Sequence, residues 1–380
     1  MAHPKVFVPE PMPRVAFTDL EAVAEVVFGR TGRAYSEAEL VECVGDVEAV
    51  IFTSRDPIAG TVIRAAPHLR VLTKAGAKPV NVDYEAARDK GIPVTWTPNA
   101  NAVSVAEHTI TLMLAVAKRL FFVAERLKAG GWRDETIMGV ELAGKTAAIV
   151  GLGGVGSAVA HRLSAFDMRL LGHDPFKSAA DMRALGVEPV ELDRIFTEAD
   201  FLLILCELTE ATRQLVCEVR LKSMKSNAIV VNTARGAIID ESALCRALGK
   251  GWIAGAGLDV FETEPLPPDH PFLILPNLVT TPHSASYTHD GHLREARLAL
   301  PVLKELSRYD CVGGFESPIP QRDAEGYRTL RQRIDRPIAV HYGSGCCHVR
   351  SDPRFDPGMP AGEQIARGLC DGFVLGSGDV

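Results

Sequence analysis

The 380-residue sequence lacks the features of membrane, secreted and nucleic-acid-binding proteins. No apolar run reaches the length of a transmembrane helix, and the first residues contain neither an apolar signal segment nor a small-residue cleavage site. Lysine and arginine are nowhere concentrated, and the net charge is −7, so the positive charge that binds nucleic acid is missing. We therefore expect no membrane and no nucleic acid among the partners.

The eight cysteines also lack CxxC spacing. In a chain of this length they indicate thiols in a reducing cytoplasm, since neither a disulfide framework nor a zinc site matches their spacing. The adjacent pair Cys346-Cys347 leaves a redox role open, although no resolving partner or electropositive context accompanies it. We predict a cytoplasmic protein that holds no metal.

Short apolar runs alternate with amphipathic stretches through the first hundred residues, which is an α/β pattern. We predict a substrate domain over residues 1–101, with a helix at Leu20–Phe28 and parallel strands at Lys5–Val8, Ala49–Thr53, Leu69–Lys74 and Ile92–Thr95. The apolar spacing then becomes helical over Ala102–Phe122. This long helix would join the first domain to a second.

A second α/β block covers residues 102–290 and contains continuously apolar runs, as expected of parallel strands covered on both faces. Six strands are predicted, at Ala147–Val150, Arg169–His173, Phe201–Leu205, Ala228–Asn232, Gly255–Val260 and Leu278–Thr281. The predicted fold class is therefore α/β, with two doubly wound parallel-sheet domains, the first flavodoxin-like and the second a Rossmann domain.

The strongest local motif is Gly151-x-Gly153-x-x-Gly156, which follows a predicted strand and precedes a predicted helix. In that order the glycine loop presents backbone N–H groups and a helix N-terminus to a pyrophosphate. Gly151 permits the tight turn, Gly153 the approach of phosphate, and Gly156 close packing of helix and strand. The motif predicts a dinucleotide site.

The next predicted strand ends in His173-Asp174, where a carboxylate is expected to bind the ribose hydroxyls. Asp174 favours NAD, because a 2′-phosphate would meet like charge and no arginine follows within the next two residues. Lys177 leaves some room for NADP. The alternative for this whole region is a glycine-rich turn beside a helix-capping aspartate.

Three further polar segments, 232–236, 258–265 and 281–285, follow predicted strand ends, where an open α/β sheet places its ligand site. With the loop Asn99–His108, the glycine motif, Asp174 and the segment 208–213, they resemble the D-isomer-specific 2-hydroxyacid dehydrogenase family. The resemblance extends to about residue 295. It implies a small 2-keto or 2-hydroxy acid as substrate and a homodimer that packs through the cofactor domain.

By this resemblance Arg235, Glu264 and His283 match the catalytic positions. Reduction of a 2-keto acid needs a cation for the carboxylate and carbonyl, which Arg235 offers, and a proton donor, which His283 offers. Glu264 would orient the imidazole and favour its protonated form. Taken singly, the three could be a capping cation, a loop acid and a satisfied polar residue.

The resemblance also implies cofactor contacts. Asp259 matches the residue that contacts the nicotinamide carboxamide, and the other matching positions are Gly154, Val155, Cys206, Thr212, Thr233 and Ala234. The same fold also serves NAD-sensing corepressors, so a binding protein stays open as an alternative, as does an inactive fusion product.

The predicted substrate loop departs from the family pattern Gly-Val-Gly-x-Asp-Asn, since it has the sequence Gly76-Ala77-Lys78-Pro79-Val80-Asn81. In the family the backbone of this loop holds the substrate carboxylate. We predict that Ala77 and Lys78 bind substrate, Lys78 by adding a charge for a carboxylate or phosphate. An exposed lysine on a proline turn is the alternative.

The larger departure follows a predicted connecting helix over residues 291–310. Residues 311–380 resemble a fragment of the barrel of mandelate racemase and muconate-lactonizing enzymes, with predicted strands at Val312–Phe315 and Ile338–His341. An acid placed like Glu316 is a metal ligand there, but the next strand ends without a second carboxylate. We predict an atypical tail without an activity of its own.

Overall fold

The computed structural model of the chain describes residues 3–10, 12–30, 33–76 and 78–308, with residues 299–308 as backbone only. The predictions for Ala77 and for the tail 311–380, including Glu316 and Cys346-Cys347, lie outside the described residues. Within the described residues, two parallel sheets surrounded by helices form the fold, so the predicted α/β class is confirmed.

The first sheet contains five parallel strands, and buried apolar residues explain why they form. The strands are β1 (Lys5–Val8), β2 (Glu25–Phe28), β3 (Ala49–Phe52), β4 (Val71–Lys74) and β5 (Val94–Trp96), in the order β2-β1-β3-β4-β5. Four short helices lie between them: α1 (Thr18–Glu21), α2 (Glu37–Cys43), α3 (Gly60–Ala65) and α4 (Tyr84–Asp89). Every residue of the central strands β3 and β4 is buried, as expected of parallel strands covered on both faces.

One prediction for this sheet was wrong. The helix expected over residues 20–28 ends at Glu21, and Glu25–Phe28 forms β2, in register with Lys5–Val8 of β1. The run Val26-Val27-Phe28 is β-branched and aromatic, which favours an extended chain where a sheet edge is available. The available edge belongs to β1, some twenty residues away in sequence, so the local spacing did not reveal it.

The joining helix is also shorter than predicted. Helix α5 covers Ala102–Ala117 and ends before Arg119, whose φ of +51° breaks the helical geometry, and a separate helix α6 covers Leu120–Lys128. Helix α5 packs on the second sheet, where a side chain at Gly257 would lie 3.0 Å from Leu112. Helix α6 contains no buried residue.

The second sheet contains seven parallel strands, one more than predicted. They are β6 (Thr146–Val150), β7 (Arg169–His173), β8 (Glu188–Pro189), β9 (Phe201–Ile204), β10 (Ile229–Asn232), β11 (Gly255–Leu258) and β12 (Leu278–Thr280), in the order β12-β11-β10-β9-β6-β7-β8. The extra strand, β8, has only two residues, so it contains no apolar run from which it could be predicted. The order reverses between β6 and β9, where doubly wound sheets bind ligands.

Helices cover both faces of the second sheet: α7 (Gly154–Leu163), α8 (Ala179–Ala184), α9 (Leu192–Glu198), α10 (Glu218–Ser223) and α11 (Glu241–Gly249). Alternate residues of β6 belong to different apolar cores. Ala148 and Val150 face one core, while Ala147 and Ile149 face the other. Two-sided burial explains why β6, which leads into the glycine motif, is apolar throughout.

The last described helix, α12 (His289–Arg308), returns to the first sheet. Ala296 is completely buried in the core that contains Val6, Val8 and Phe17, and Leu293 packs against the same core. This core is therefore built from segments that are almost three hundred residues apart in the sequence. Neither α12 nor any other described helix is long and apolar enough to cross a bilayer.

Candidate active site

The glycine motif forms an open cradle between β6 and α7. A Cβ at Gly151 (φ +91°) would lie 2.6 Å from the backbone of Cys206, and one at Gly156 would collide with the carbonyl oxygen of Gly151. At Gly153, by contrast, no atom lies within 4 Å of an added Cβ. The cradle is therefore closed toward the protein and open at the N-terminus of α7, and this geometry fits a pyrophosphate.

Asp174 follows the last residue of β7 and faces the same cradle. Its Oδ2 accepts a hydrogen bond from the backbone N–H of Leu152 at 2.7 Å, and its Oδ1 accepts one from that of Phe176 at 2.8 Å. Lys177 lies nearby, with Nζ 3.4 Å from Oγ of Ser157 in α7. The carboxylate thus stands beside the phosphate cradle, as a ribose-binding group would.

The other predicted cofactor residues lie at neighbouring strand ends or in the glycine loop. Cys206 follows β9, and burial raises the pKa of its thiol to about 11. Thr233 follows β10 and shares a 2.7 Å hydrogen bond with Thr109 of α5, while the N–H of Ala234 donates to Asn232 at 3.0 Å. Thr212 donates to the carbonyl of Glu207 at 2.7 Å.

The two remaining predicted cofactor residues belong to the glycine loop. Gly154 lies against the side chain of Asn99, and Val155 packs on the apolar core.

The structure brings His283 and Glu264 together. Nδ1 of His283 lies 2.6 Å from Oε2 of Glu264, and Oε1 of Glu264 accepts a hydrogen bond from the N–H of Phe261 at 2.9 Å. Burial alone would raise the pKa of Glu264, but the hydrogen bonds from His283 and Phe261 and the charge of Arg235 bring it below its ordinary value. Glu264 is therefore an anion that accepts from the imidazole, leaving Nε2 for another group.

His283 has a φ of +52°, a conformation that residues other than glycine rarely adopt and that costs about 1–3 kcal/mol. Two backbone bonds hold it: its N–H lies 2.8 Å from the carbonyl of Asp259 and 3.0 Å from that of Thr281. The strained turn fixes the direction of the imidazole.

Asp259 lies beneath this turn and is completely buried. Its carboxylate accepts from the N–H of Ser284 at 2.9 Å, the N–H of Ala285 at 2.8 Å and the hydroxyl of Thr281 at 2.5 Å, and Nε2 of His108 lies 3.4 Å away. Burial opposes ionisation, but these donors lower the pKa of Asp259. The carboxylate thus organises the segment that contains His283.

Arg235 follows β10 and immediately precedes a short 3₁₀ helix, Gly236–Ile238. One guanidinium nitrogen, Nη1, donates to the carbonyl of Ala234 at 2.6 Å. Burial lowers the pKa of Arg235, while Glu264 and Glu207 act in the opposite direction, so the group stays a cation. A fixed cation, a carboxylate and an imidazole therefore gather at the ends of adjacent strands.

The chain as a whole is similar to known proteins. The profile "D-isomer specific 2-hydroxyacid dehydrogenase, NAD binding domain" matches residues 110–285. A glyoxylate reductase of Korarchaeum cryptofilum is 38% identical over 309 residues, which cover 80% of this chain and 93% of the relative. The chain belongs to the D-isomer specific 2-hydroxyacid dehydrogenase family.

Other members extend the comparison. A hydroxypyruvate reductase of Thermotoga maritima is 37% identical over 310 residues, covering 80% of this chain and 99% of the relative. The solved D-lactate dehydrogenase of Aquifex aeolicus, complexed with NAD and lactic acid, matches with a TM-score of 0.68 and 27% identity, covering 80% of this chain and 95% of that chain. The predicted family and enzyme class are confirmed: the protein is an NAD(P)-dependent oxidoreductase of 2-hydroxy acids.

The loop predicted to bind substrate contains an exposed lysine, and the role given to Lys78 stays a prediction. Lys78 is exposed, Val80 is 85% exposed, and Pro79 between them is buried. Another lysine, Lys74, is 3% exposed and lies under the loop. Sequence reasoning missed Lys74 because it appeared as the last residue of an apolar strand.

Two further polar residues near the loop were missed. Asn101, which precedes α5, donates to Oε1 of Glu295 at 3.1 Å, and Glu295 on α12 is 3% exposed. Asn101 belongs to the segment Asn99–His108, which is part of the family resemblance, but the resemblance assigned no function to Asn101. Contacts across almost two hundred residues leave no local pattern.

Proposed function

We propose that the protein reduces small 2-keto acids of the glyoxylate and hydroxypyruvate type to D-2-hydroxy acids with NADH, with His283 as proton donor, Glu264 as its supporting carboxylate and Arg235 as substrate cation. The 2.6 Å bond between His283 and Glu264 carries the proposal, since a carboxylate there favours the charged imidazole. Curated relatives named glyoxylate reductase and hydroxypyruvate reductase support the substrate class.

In this mechanism Arg235 would hold the carboxylate and polarise the keto oxygen, because a guanidinium stays charged and offers paired donors. The reduced nicotinamide, when bound, supplies the hydride. As charge develops on the keto oxygen, Nε2 of His283 would donate its proton, while Glu264 stabilises the imidazolium beforehand. In the oxidative direction neutral His283 would accept the hydroxyl proton at the same atom.

For the cofactor, we propose that the backbone at Gly151, Gly153 and Gly156 holds the pyrophosphate and that Asp174 binds the adenine ribose. Asp174 supports NAD over NADP, since a 2′-phosphate would meet its charge. Lys177, with Nζ near Ser157, is the cation that could weaken this preference.

We further propose a homodimer, which the family resemblance implies through the cofactor domain, and we assign its contact surface to α6. All the side chains of α6 are at least partly exposed, and several are large and apolar: Leu120, Phe121, Phe122 and Leu127, joined by Trp132, Met138 and Val140 in the following segment. An apolar stretch of this size marks an association surface. Phe121→Asp should give monomers in light scattering, whereas Ile274→Asp, at another exposed apolar position, should not.

The experiment that tests the reaction follows NADH absorbance with glyoxylate, hydroxypyruvate, pyruvate and phosphohydroxypyruvate, alongside a calorimetric measurement of NADH binding. We expect turnover with at least one of the first two. Saturable NADH binding without turnover of any keto acid would contradict the proposal and favour an NAD-sensing protein.

A further inference from the structure

Lys74 is an ionisable residue in an unusual position. It ends β4 in register with Phe52 of β3 and Trp96 of β5, and it is 3% exposed. Lysine is almost never so buried without a charge or hydrogen-bond partner, because desolvating an ammonium is costly. Its surroundings therefore bear on its role.

Glu295 on α12 is the anion nearest to the loop above Lys74. A side chain at Gly76, whose φ is +101°, would lie 3.2 Å from Oε1 of Glu295, 3.3 Å from Nδ2 of Asn101 and 3.7 Å from Nζ of Lys74. Oε2 of Glu295 also lies 3.1 Å from Nδ1 of His292. Three polar groups from three elements thus surround the glycine that starts the substrate loop.

The charge of Arg235, which follows a strand of the second sheet, acts on Lys74. Burial and the charge of Arg235 lower the pKa of Lys74 to about 8, and the charge of Glu295 acts against them. At neutral pH most Lys74 side chains are therefore charged.

The loop sequence shows why an additional cation is useful here. Where the family pattern has a second glycine and an aspartate, this chain has Lys78 and Val80, and Pro79 between them has no N–H. Lys78 and Val80 are exposed. The loop therefore offers fewer backbone donors to a carboxylate than the family pattern.

We propose that Lys74 binds the substrate carboxylate together with Arg235, and that Glu295 is a positioning residue that holds the Lys74 ammonium beneath the loop. This inference rests on the proposed keto-acid reduction. It assigns the loop's charge to the buried Lys74 in place of the exposed Lys78.

The test compares Lys74→Met with the matched control Lys78→Met. Calorimetry of oxalate, a non-reducible analogue of a 2-keto acid, binding to the enzyme–NADH complex gives a readout that does not require turnover. A charge-assisted bond to a carboxylate is worth about 30-fold in affinity, so Lys74→Met should weaken oxalate binding by about that factor and raise KM similarly. The Kd of NADH should stay within about twofold, and Lys78→Met should change oxalate binding by less than about threefold.

Glu295→Gln separates positioning from general damage. The charge of Arg235 lowers the pKa of Lys74 and that of Glu295 raises it, so loss of Glu295 should leave fewer charged Lys74 side chains at pH 8. Relative to the wild type, Glu295→Gln should bind oxalate about tenfold more weakly at pH 8 and regain most of that loss at pH 6.5. Lys74→Met should regain none of its lost oxalate affinity at pH 6.5. A purely structural defect would show the same loss at both pH values and would overturn the positioning role.

Unchanged oxalate binding in Lys74→Met, or a larger loss in Lys78→Met, would overturn the assignment of Lys74. Should Lys74→Met not fold, Glu295→Gln at the two pH values decides the question. A wild type that binds NADH but reduces no keto acid would instead refute the proposed function, so the two failures are distinguishable.

Discussion

Replacing Glu264 by glutamine tests how strongly the carboxylate supports His283. Glutamine keeps the shape and an oxygen for the N–H of Phe261, which donates to Glu264 at 2.9 Å. It removes the charge and directs an amide N–H₂ at Nδ1 of His283. Nδ1 must then accept a hydrogen bond and can carry no proton. The imidazole is therefore held as the neutral tautomer with its proton on Nε2, and its doubly protonated form is disfavoured.

The size of the effect follows from distance and exposure. A charge-assisted hydrogen bond is worth about 1.5–3 kcal/mol when buried. The bond between His283 and Glu264 is short, at 2.6 Å, but each side chain is 35% exposed, so solvent screening reduces its contribution toward the lower end. About 1.4 kcal/mol corresponds to a factor of about ten in rate.

The assay is kcat for glyoxylate reduction at one fixed pH, measured by NADH absorbance. Reduction needs the imidazolium of His283, which Glu264 stabilises across the 2.6 Å bond, so Glu264→Gln should lower kcat about tenfold. Glu262→Gln, at an exposed acid two residues earlier, is the control and should keep the wild-type kcat. Equal kcat values for the two variants would refute the supporting role of Glu264.

Three other predictions concern the cofactor cradle and the buried carboxylate. Asp174→Ala should lower the preference for NADH over NADPH at least about tenfold in kcat/KM, and an unchanged ratio would remove Asp174 from cofactor selection. Gly153→Ala should weaken NADH binding without lowering Tm, since nothing in the protein lies near the added methyl. Gly156→Ala should weaken NADH binding and also lower Tm, because its methyl would collide with the backbone of Gly151. Equal losses of Tm in the two variants would contradict this geometry. In Asp259→Asn the amide N–H₂ would face a backbone N–H that now donates to the carboxylate, so Tm should fall by several degrees and kcat at least about tenfold. An unchanged Tm would show that the buried carboxylate does not hold the turn.

The parts of the molecule that the sequence predicted well are those that local chemistry determines. The strand, glycine loop and helix of the dinucleotide cradle are contiguous, and two-sided burial makes β6 apolar throughout. The residue types of Arg235, Glu264 and His283 matched a reaction, and the structure brings the last two into contact. Their roles stay predictions.

The wrong or missed elements depend on distant partners. Residues 25–28 are a strand because β1, some twenty residues away in sequence, offers an edge. Glu295 contacts Asn101 across almost two hundred residues, so nothing near either residue indicates the pair. Burial similarly distinguishes Lys74 from Lys78, which sequence alone did not.

The most direct test of the account is single-turnover reduction of glyoxylate by His283→Gln, with NADH binding measured on the same preparation. The account predicts that glutamine at this position lowers the rate of NADH oxidation at least about a thousandfold, because no proton donor faces the keto oxygen, while the Kd of NADH stays within about threefold. A near-normal single-turnover rate would contradict the assignment of His283 as the proton donor.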